Sequence, residues 1–137
     1  MKKWLIALAV ILLLSLPVCI ALFGSGYLSC FNPDISAEQV AAIQVTDGMQ
    51  TGETFEVTDA EAIHQITALV NDLGPAVGRY GTWNGWHYSV TFLDDSGAEL
   101  FHVTAVDDNQ ISSGNYYYPA DASELIAYLA ELDMQNP

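Results

Sequence analysis

The chain has 137 residues, of which 51% are hydrophobic and 15% charged, and its formal net charge is -14. Three basic residues stand against seventeen acidic ones, which disfavours binding to nucleic acid or to an anionic lipid surface, since both need basic patches. The length accommodates one small domain with a single core beside a membrane segment.

The start of the chain is a membrane-addressing segment. Lys2 and Lys3 precede an uncharged apolar run over residues 4–23, and a helix of twenty residues is about 30 Å long, enough to cross a bilayer. We therefore predict a membrane anchor at residues 1–23, in contact with the lipid bilayer through residues 4–23. Because the lysines come first, we expect a cytoplasmic N-terminus and an extracytoplasmic remainder, as in a single-pass cell-membrane protein.

Two alternatives to a retained anchor stay open at this point. A signal peptide could be cleaved near Gly24-Ser25-Gly26, where small residues follow the apolar run. A lipoprotein could be modified at Cys30, which follows Leu28 and Ser29. The second cysteine, Cys19, lies inside the apolar run, so we expect no disulfide in the folded part.

Residues 24–36 are rich in Gly, Ser, Asn and Pro and predict a linker, which leaves residues 37–137 as an extracytoplasmic domain. All seventeen acidic residues come from Asp34 onward, where the only basic residue is Arg79, so this portion carries a net charge of -16. Such a field suits a metal ion or a basic peptide or protein partner, and it equally suits simple solubility.

Alternation and helical spacing predict the elements of this domain. We expect strands at 41–46, 54–58, 86–92, 101–105 and 116–118 and another strand around Ile111, with helices capped by Thr58-x-x-Glu61 and Asp121-x-x-Glu124. Residues 74–85 predict a long loop. The predicted fold class is α+β: two layers, an antiparallel, mostly meander sheet of about five to six strands, and two helices on one face, after an N-terminal transmembrane helix.

The register of the central hairpin follows from its turn. If Asp95 and Ser96 form a two-residue tip, Val90 pairs with Phe101 and Tyr88 with Val103, so that inward residues meet. The same register places Ser89 opposite His102, with His87 diagonal to it on the outer face.

We predict a binding surface from the long loop and the last hairpin, formed by Arg79, Tyr80, Trp83 and Tyr117, because aromatic rings give large contact area with few rotors. The competing interpretation is that Tyr116 and Tyr118 point inward and belong to the core. This leaves only Tyr117 of that hairpin outside.

Catalytic and metal chemistry have weak signals. His87 and His102 are weak candidates for zinc, and the turns at 94–95 and 107–109 are weak candidates for calcium, but neither pattern has the full ligand spacing. We find no nucleophile, base and orienting set, and therefore expect no enzyme activity and no cofactor.

The run Ser36 to Val45 (Ser-x-Glu-x-Val-x-x-Ile-x-Val), with Phe55 to Thr58, the capped helix and the Gly85-Trp86-x-Tyr-x-Val strand, resembles small uncharacterised membrane-anchored or lipoprotein-like domains of Gram-positive bacteria. This resemblance implies a bacterial cell-surface module. The sequence thus favours a non-catalytic binding or interaction module, with a cation-binding (calcium or zinc) surface protein as the alternative.

Overall fold

The computed structural model describes residues 2–81 and 84–136. It is an α+β structure with an N-terminal apolar helix, as the sequence predicts. The elements are α1 (Lys2–Gly24), β1 (Leu28–Phe31), a short 3-10 helix (Ala37–Gln39), β2 (Ala42–Asp47), β3 (Thr54–Val57), α2 (Ala60–Asn71), β4 (Ala76–Tyr80), β5 (Tyr88–Leu93), β6 (Glu99–Asp107), β7 (Gln110–Ser113), β8 (Tyr116–Pro119) and α3 (Ser123–Met134).

One antiparallel sheet contains all eight of these strands, in the order β1-β4-β8-β7-β6-β5-β2-β3. The predicted count of five to six strands is wrong, because β1 and β4 were missed. β1 lies within the residues predicted as a linker, and β4 lies within those predicted as a long loop. β1 is the edge strand and β4 is its neighbour, so a prediction that lacks β4 also lacks the partner of β1.

β4 lacks the alternating apolar pattern that predicts a strand, because Gly78 occupies one of its inward positions, where an apolar side chain would be expected. The space is filled by Tyr118 of β8, which is 3% exposed. A Cβ at Gly78 would meet the ring of Tyr118, and the Tyr118 hydroxyl donates a hydrogen bond to Ser29 Oγ of β1 at 2.9 Å. The Tyr118 ring of β8 therefore covers β4, and its hydroxyl group is hydrogen-bonded to β1.

Both domain helices bury apolar stripes on the sheet. In α2 the buried residues include Ile63, Ile66 and Val70, and in α3 they are Leu125 and Leu129. These residues form one core cluster with the inward side chains of the strands. The stripes agree with the helical spacing in the sequence, which is the expected property of a helix that packs on a sheet.

The predicted caps are shifted by one residue. Asp59, not Thr58, is the N-cap of α2, and its carboxylate accepts a hydrogen bond from the Ala62 amide at 2.9 Å. In α3 the N-cap is Ala122, without a side-chain cap. Asp121 instead accepts hydrogen bonds from the amide and hydroxyl of Ser123.

The register of the β5–β6 hairpin differs from the prediction by two residues. Val90 pairs with Val103 and Tyr88 with Ala105, whereas the prediction paired them with Phe101 and Val103. The turn has three residues at its tip, closed by the Asp94 amide donating to the Ala98 carbonyl at 2.9 Å, and a bulge interrupts the pairing next to Phe92 and Leu93. The third residue at the turn tip and the bulge each shift the pairing by one residue. The two shifts together therefore leave every side chain on the face of the sheet that was predicted for it.

The segment after α1 is part of the folded body. Phe31 of β1 is 4% exposed, and its ring lies 5.1 Å from that of Tyr118 and 5.8 Å from that of Phe101. Farther along, the Asn71 side chain exchanges two hydrogen bonds of 2.9 Å with the backbone of Ile35. Much of the predicted linker is therefore fixed to the sheet and to α2.

This placement of β1 bears on lipid modification. A lipoprotein processed at Cys30 would lose Leu28 and Ser29, and with them half of β1 and the partner of the Tyr118 hydroxyl. We expect intact-mass spectrometry of the mature chain to show that Leu28 and Ser29 are retained and that Cys30 carries no lipid. A Cys30→Ser variant should remain in the membrane fraction like the native chain. A mature N-terminus at a lipid-modified Cys30 would contradict this prediction.

Candidate functional site

The residues predicted as a binding surface separate onto two sides of the sheet. Arg79 on β4 pairs directly with Tyr117 on β8, and both lie on the outer face, away from α2 and α3. Tyr80 lies one position further, on the inner side, where its ring meets that of Tyr116 edge to face at 5.9 Å. Trp83 lies outside the described residues.

Arg79 and Tyr117 line an open groove on the outer face. This outer groove has a volume of about 380 Å³ and contains no carboxylate; it is lined by Leu28, Val77, Gly78, Arg79, Asn109, Gln110, Tyr117 and Pro119. Arg79 and Val77 are exposed, whereas Tyr117 is half-buried, with its ring against Gly81. The groove brings the only basic side chain of the domain beside an apolar wall.

A larger groove, which we did not predict from the sequence, lies between the helices. This acidic groove has a volume of about 540 Å³ and is lined by Glu56, Val57, Thr58, Asp59, Glu61, Ala62, Gln65, Tyr128, Glu131, Leu132, Gln135 and Asn136. It brings the start of α2 against the end of α3, so the two helices pack antiparallel. Four carboxylates surround it, and no Lys, Arg or His side chain lines it.

Tyr128 lines the acidic groove, and the pKa of its hydroxyl reflects the negative potential there. Burial raises the pKa of its hydroxyl, and the nearby carboxylates of Asp59, Glu131 and Glu61 raise it further, because a phenolate would be repelled by them. The carbonyl end of α3 also lies here, with no basic residue in its last turn. The helix dipole therefore adds to the negative potential.

The two histidines proposed as weak metal ligands are not neighbours. His102 pairs with Thr91, and its ring nitrogens lie 2.8 Å from Thr91 Oγ1 and 3.4 Å from Ser89 Oγ. His87 is four residues before Thr91, or about 13 Å along the strand. The predicted diagonal contact is wrong, because the hairpin register is shifted.

The carboxylates of the acidic turns accept hydrogen bonds from the backbone of the same turns. Asp94 Oδ1 accepts hydrogen bonds from the Ser96 hydroxyl, the Ser96 amide and the Ala98 amide, and the bond from the hydroxyl contributes most to lowering the pKa of Asp94. Asp107 likewise accepts from the Asn109 amide. Within residues 2–81 and 84–136, no group of three or more His, Cys, Asp or Glu side chains is placed to hold a metal ion.

Comparison with protein-family models, with curated proteins and with solved structures finds no match for this chain. The two grooves and α1 are therefore the features from which a function can be inferred.

The acidic groove is not predicted by the sequence, because its carboxylates come from three separate elements. Glu61 and Gln65 are one helical turn apart on α2, and Tyr128 and Glu131 are similarly spaced on α3, so each pair shares a helix face. These pairs could have been recognised as polar faces. Only the antiparallel packing of α2 on α3 places them opposite each other and beside Glu56.

Proposed function

We propose that this protein is a membrane-tethered extracytoplasmic binding module without catalytic activity, whose acidic groove takes a basic segment of a protein or peptide partner. The observation that carries the proposal is the groove itself: four carboxylates and a helix carbonyl end converge on about 540 Å³ of open space that no basic side chain lines. Lysine and arginine side chains complement such a potential.

The tether in this proposal is α1. It is 23 residues long, none of its residues is buried, and it is the one helix of the described chain that is long and apolar enough to cross a membrane. A signal sequence meets the same criteria. The outward orientation of the domain is supported by Lys2 and Lys3, which precede the apolar run.

A non-catalytic role is supported by the surroundings of His102. Its hydroxyl neighbours, Ser89 and Thr91, lie beside it on the outer sheet face, and His102 lines neither the outer groove nor the acidic groove. A catalytic base needs a place for the reacting atom beside it, and neither groove offers such a place to His102.

The test removes charge from the acidic groove without changing shape. The triple variant Glu56→Gln, Glu61→Gln, Glu131→Gln should bind an amidated lysine-rich hexapeptide about tenfold more weakly than the native chain in titration calorimetry at physiological salt, since a few exposed ion pairs together contribute about 1.4 kcal/mol.

The matched control is Glu53→Gln, Asp95→Asn, Asp108→Asn, which removes the same charge from exposed positions outside the groove. We expect it to bind the hexapeptide within about twofold of the native chain, because distant exposed charges are screened by salt. Equal weakening in both variants would show that only net charge attracts the peptide, and would overturn the groove as a site. Absence of measurable binding by the native chain would also overturn it.

A further inference from the structure

The joint between α1 and the sheet is short, and each of its residues makes at least one hydrogen bond. Only residues 25–27 separate α1 from β1. The Ser25 amide donates to the Ala21 carbonyl at 3.0 Å and the Gly26 amide to the Phe23 carbonyl at 3.3 Å, which caps the helix. Gly26 has φ 78°, a left-handed conformation that favours glycine.

The same joint is attached to two further strands. The Tyr116 hydroxyl of β8 donates to the Gly26 carbonyl at 2.5 Å, and the Tyr80 amide of β4 donates to the Tyr27 carbonyl at 2.8 Å. These bonds leave no free residue to act as a flexible spacer. A bilayer that holds α1 therefore lies directly beside the adjoining end of the sheet.

The side chains at this end of the sheet suit a bilayer surface. Tyr27 and Tyr80 are 48% and 58% exposed, and tyrosine is enriched at the level of lipid headgroups. Arg79 is exposed next to Tyr80 and pairs with Leu28. Arginine binds phosphate through parallel hydrogen bonds from its planar guanidinium group.

Acidic residues are absent from this part of the sheet. The strands β1, β4, β8 and β7 contain no Asp or Glu, although the chain has seventeen. Neither does the outer groove beside Arg79. The carboxylates lie on the helices, on β2, β3 and β6, and in turns and connecting segments, so the half of the sheet attached to α1 is the half that lipid phosphates would not repel.

We propose that the end of the sheet at the joint is seated in the headgroup layer of the bilayer, with Tyr27 and Tyr80 at headgroup depth and Arg79 on a lipid phosphate. This inference depends on the tether in the proposed function. It adds that the domain has a fixed orientation on the membrane, with the β7–β8 turn near the lipid and the β6–β7 turn away from it, because these turns lie at opposite ends of β7.

The two turns give matched reporters for the full chain in phosphatidylcholine vesicles. In a Cys19→Ala, Cys30→Ala chain, a nitroxide label is attached either at Asn115→Cys or at Asp108→Cys, both exposed positions. Power saturation with oxygen and with a water-soluble nickel complex then gives the depth of each label. We expect the label at residue 115 in the headgroup layer and the label at residue 108 in water.

Adding Arg79→Gln and Tyr80→Ser should move the label at residue 115 outward by about 6 Å, the thickness of the headgroup layer. Equal exposure of both labels to nickel in the native background would overturn the proposed contact of the sheet with the headgroup layer. The proposal would also be overturned if these substitutions did not move the label at residue 115. Retention of the chain in vesicles after an alkaline wash tests the tether separately, and loss of the chain would overturn both proposals.

Discussion

A Gly78→Ala substitution is expected to destabilise the domain by about 3 kcal/mol, the largest effect we predict for a single methyl group. A Cβ at this position would collide with the carbonyl oxygen of Tyr117 and the ring of Tyr118. Backbone cannot move aside as a flexible side chain can, so the β4–β8 pairing would open. The Tyr118 ring would leave the core, and its hydrogen bond to Ser29 would be lost.

The measurement is thermal unfolding of the full chain in detergent micelles, followed by near-ultraviolet circular dichroism. For a domain of this size, a loss of about 3 kcal/mol lowers the Tm by about 10 to 20 °C. The control is Gly24→Ala, since a Cβ there has nothing within 4 Å, and we expect its Tm to match the native value. A Gly78→Ala chain with native Tm would show that Tyr118 does not need the space above Gly78.

An Asp47→Ala substitution is expected to cost about 2 kcal/mol at neutral pH, because Asp47 organises the β2–β3 turn. Asp47 is 2% exposed. Its carboxylate accepts hydrogen bonds from the amides of Met49, Gln50 and Thr51 at 2.9 to 3.1 Å, and from the Thr51 hydroxyl at 3.2 Å. Alanine removes the acceptor for all four donors.

The contribution of Asp47 to the free energy of unfolding should depend on pH in a defined direction. Burial raises the pKa of the Asp47 carboxyl, but the hydrogen bonds from the turn outweigh burial, so the pKa lies below its ordinary value of 3.8. A group whose pKa is lowered by folding stabilises the protein above its unfolded pKa, and this stabilisation is lost as pH falls through the folded pKa. The difference between native and variant stability should therefore be constant above about pH 5 and shrink below about pH 4.

Chemical denaturation in urea at several pH values checks this prediction. The matched control is Asp95→Asn, which removes a carboxylate from an exposed turn position, and we expect its effect to stay within about 0.5 kcal/mol. A difference between native and Asp47→Ala stability that grows as the pH is lowered would contradict the assignment of the Asp47 carboxylate as the ionised acceptor.

The strands and helices that the sequence predicts correctly are those in which each residue reports its own environment. Tyr88, Val90 and Phe92 alternate with polar residues and are all buried, and Ile63, Ile66 and Val70 recur at helical spacing and are buried as well. Periodicity of this kind depends only on local backbone geometry, so it can be recognised without knowledge of the partner element.

β1 and β4 show where that local signal fails. Phe31 is a core residue next to an exposed Cys30, in a strand of only four residues, and Gly78 is an inward position without a side chain. Their burial comes from Tyr118, which is distant from both in sequence. No window of the sequence around residues 28–31 or 76–80 contains the ring that makes these segments strands.

The candidate sites also differ in whether the sequence alone predicts their residues. Arg79 and Tyr117 are predicted from the long loop and the last hairpin, and the structure pairs them on adjacent strands. The acidic groove was not predicted, because its carboxylates on β3, α2 and α3 become neighbours only when the helices pack antiparallel.

The sequence by itself determined the apolar N-terminal helix, the α+β class, the acidic charge and the faces of most helices and strands, because these depend on residue type and local periodicity. Tertiary structure decided the hairpin register, the membership of β1 and β4 in the sheet and the joint with α1. It also decided which half of the sheet is free of carboxylates. These features depend on contacts between residues far apart in the chain, where one loop residue, one bulge or one glycine beneath an aromatic ring changes the outcome.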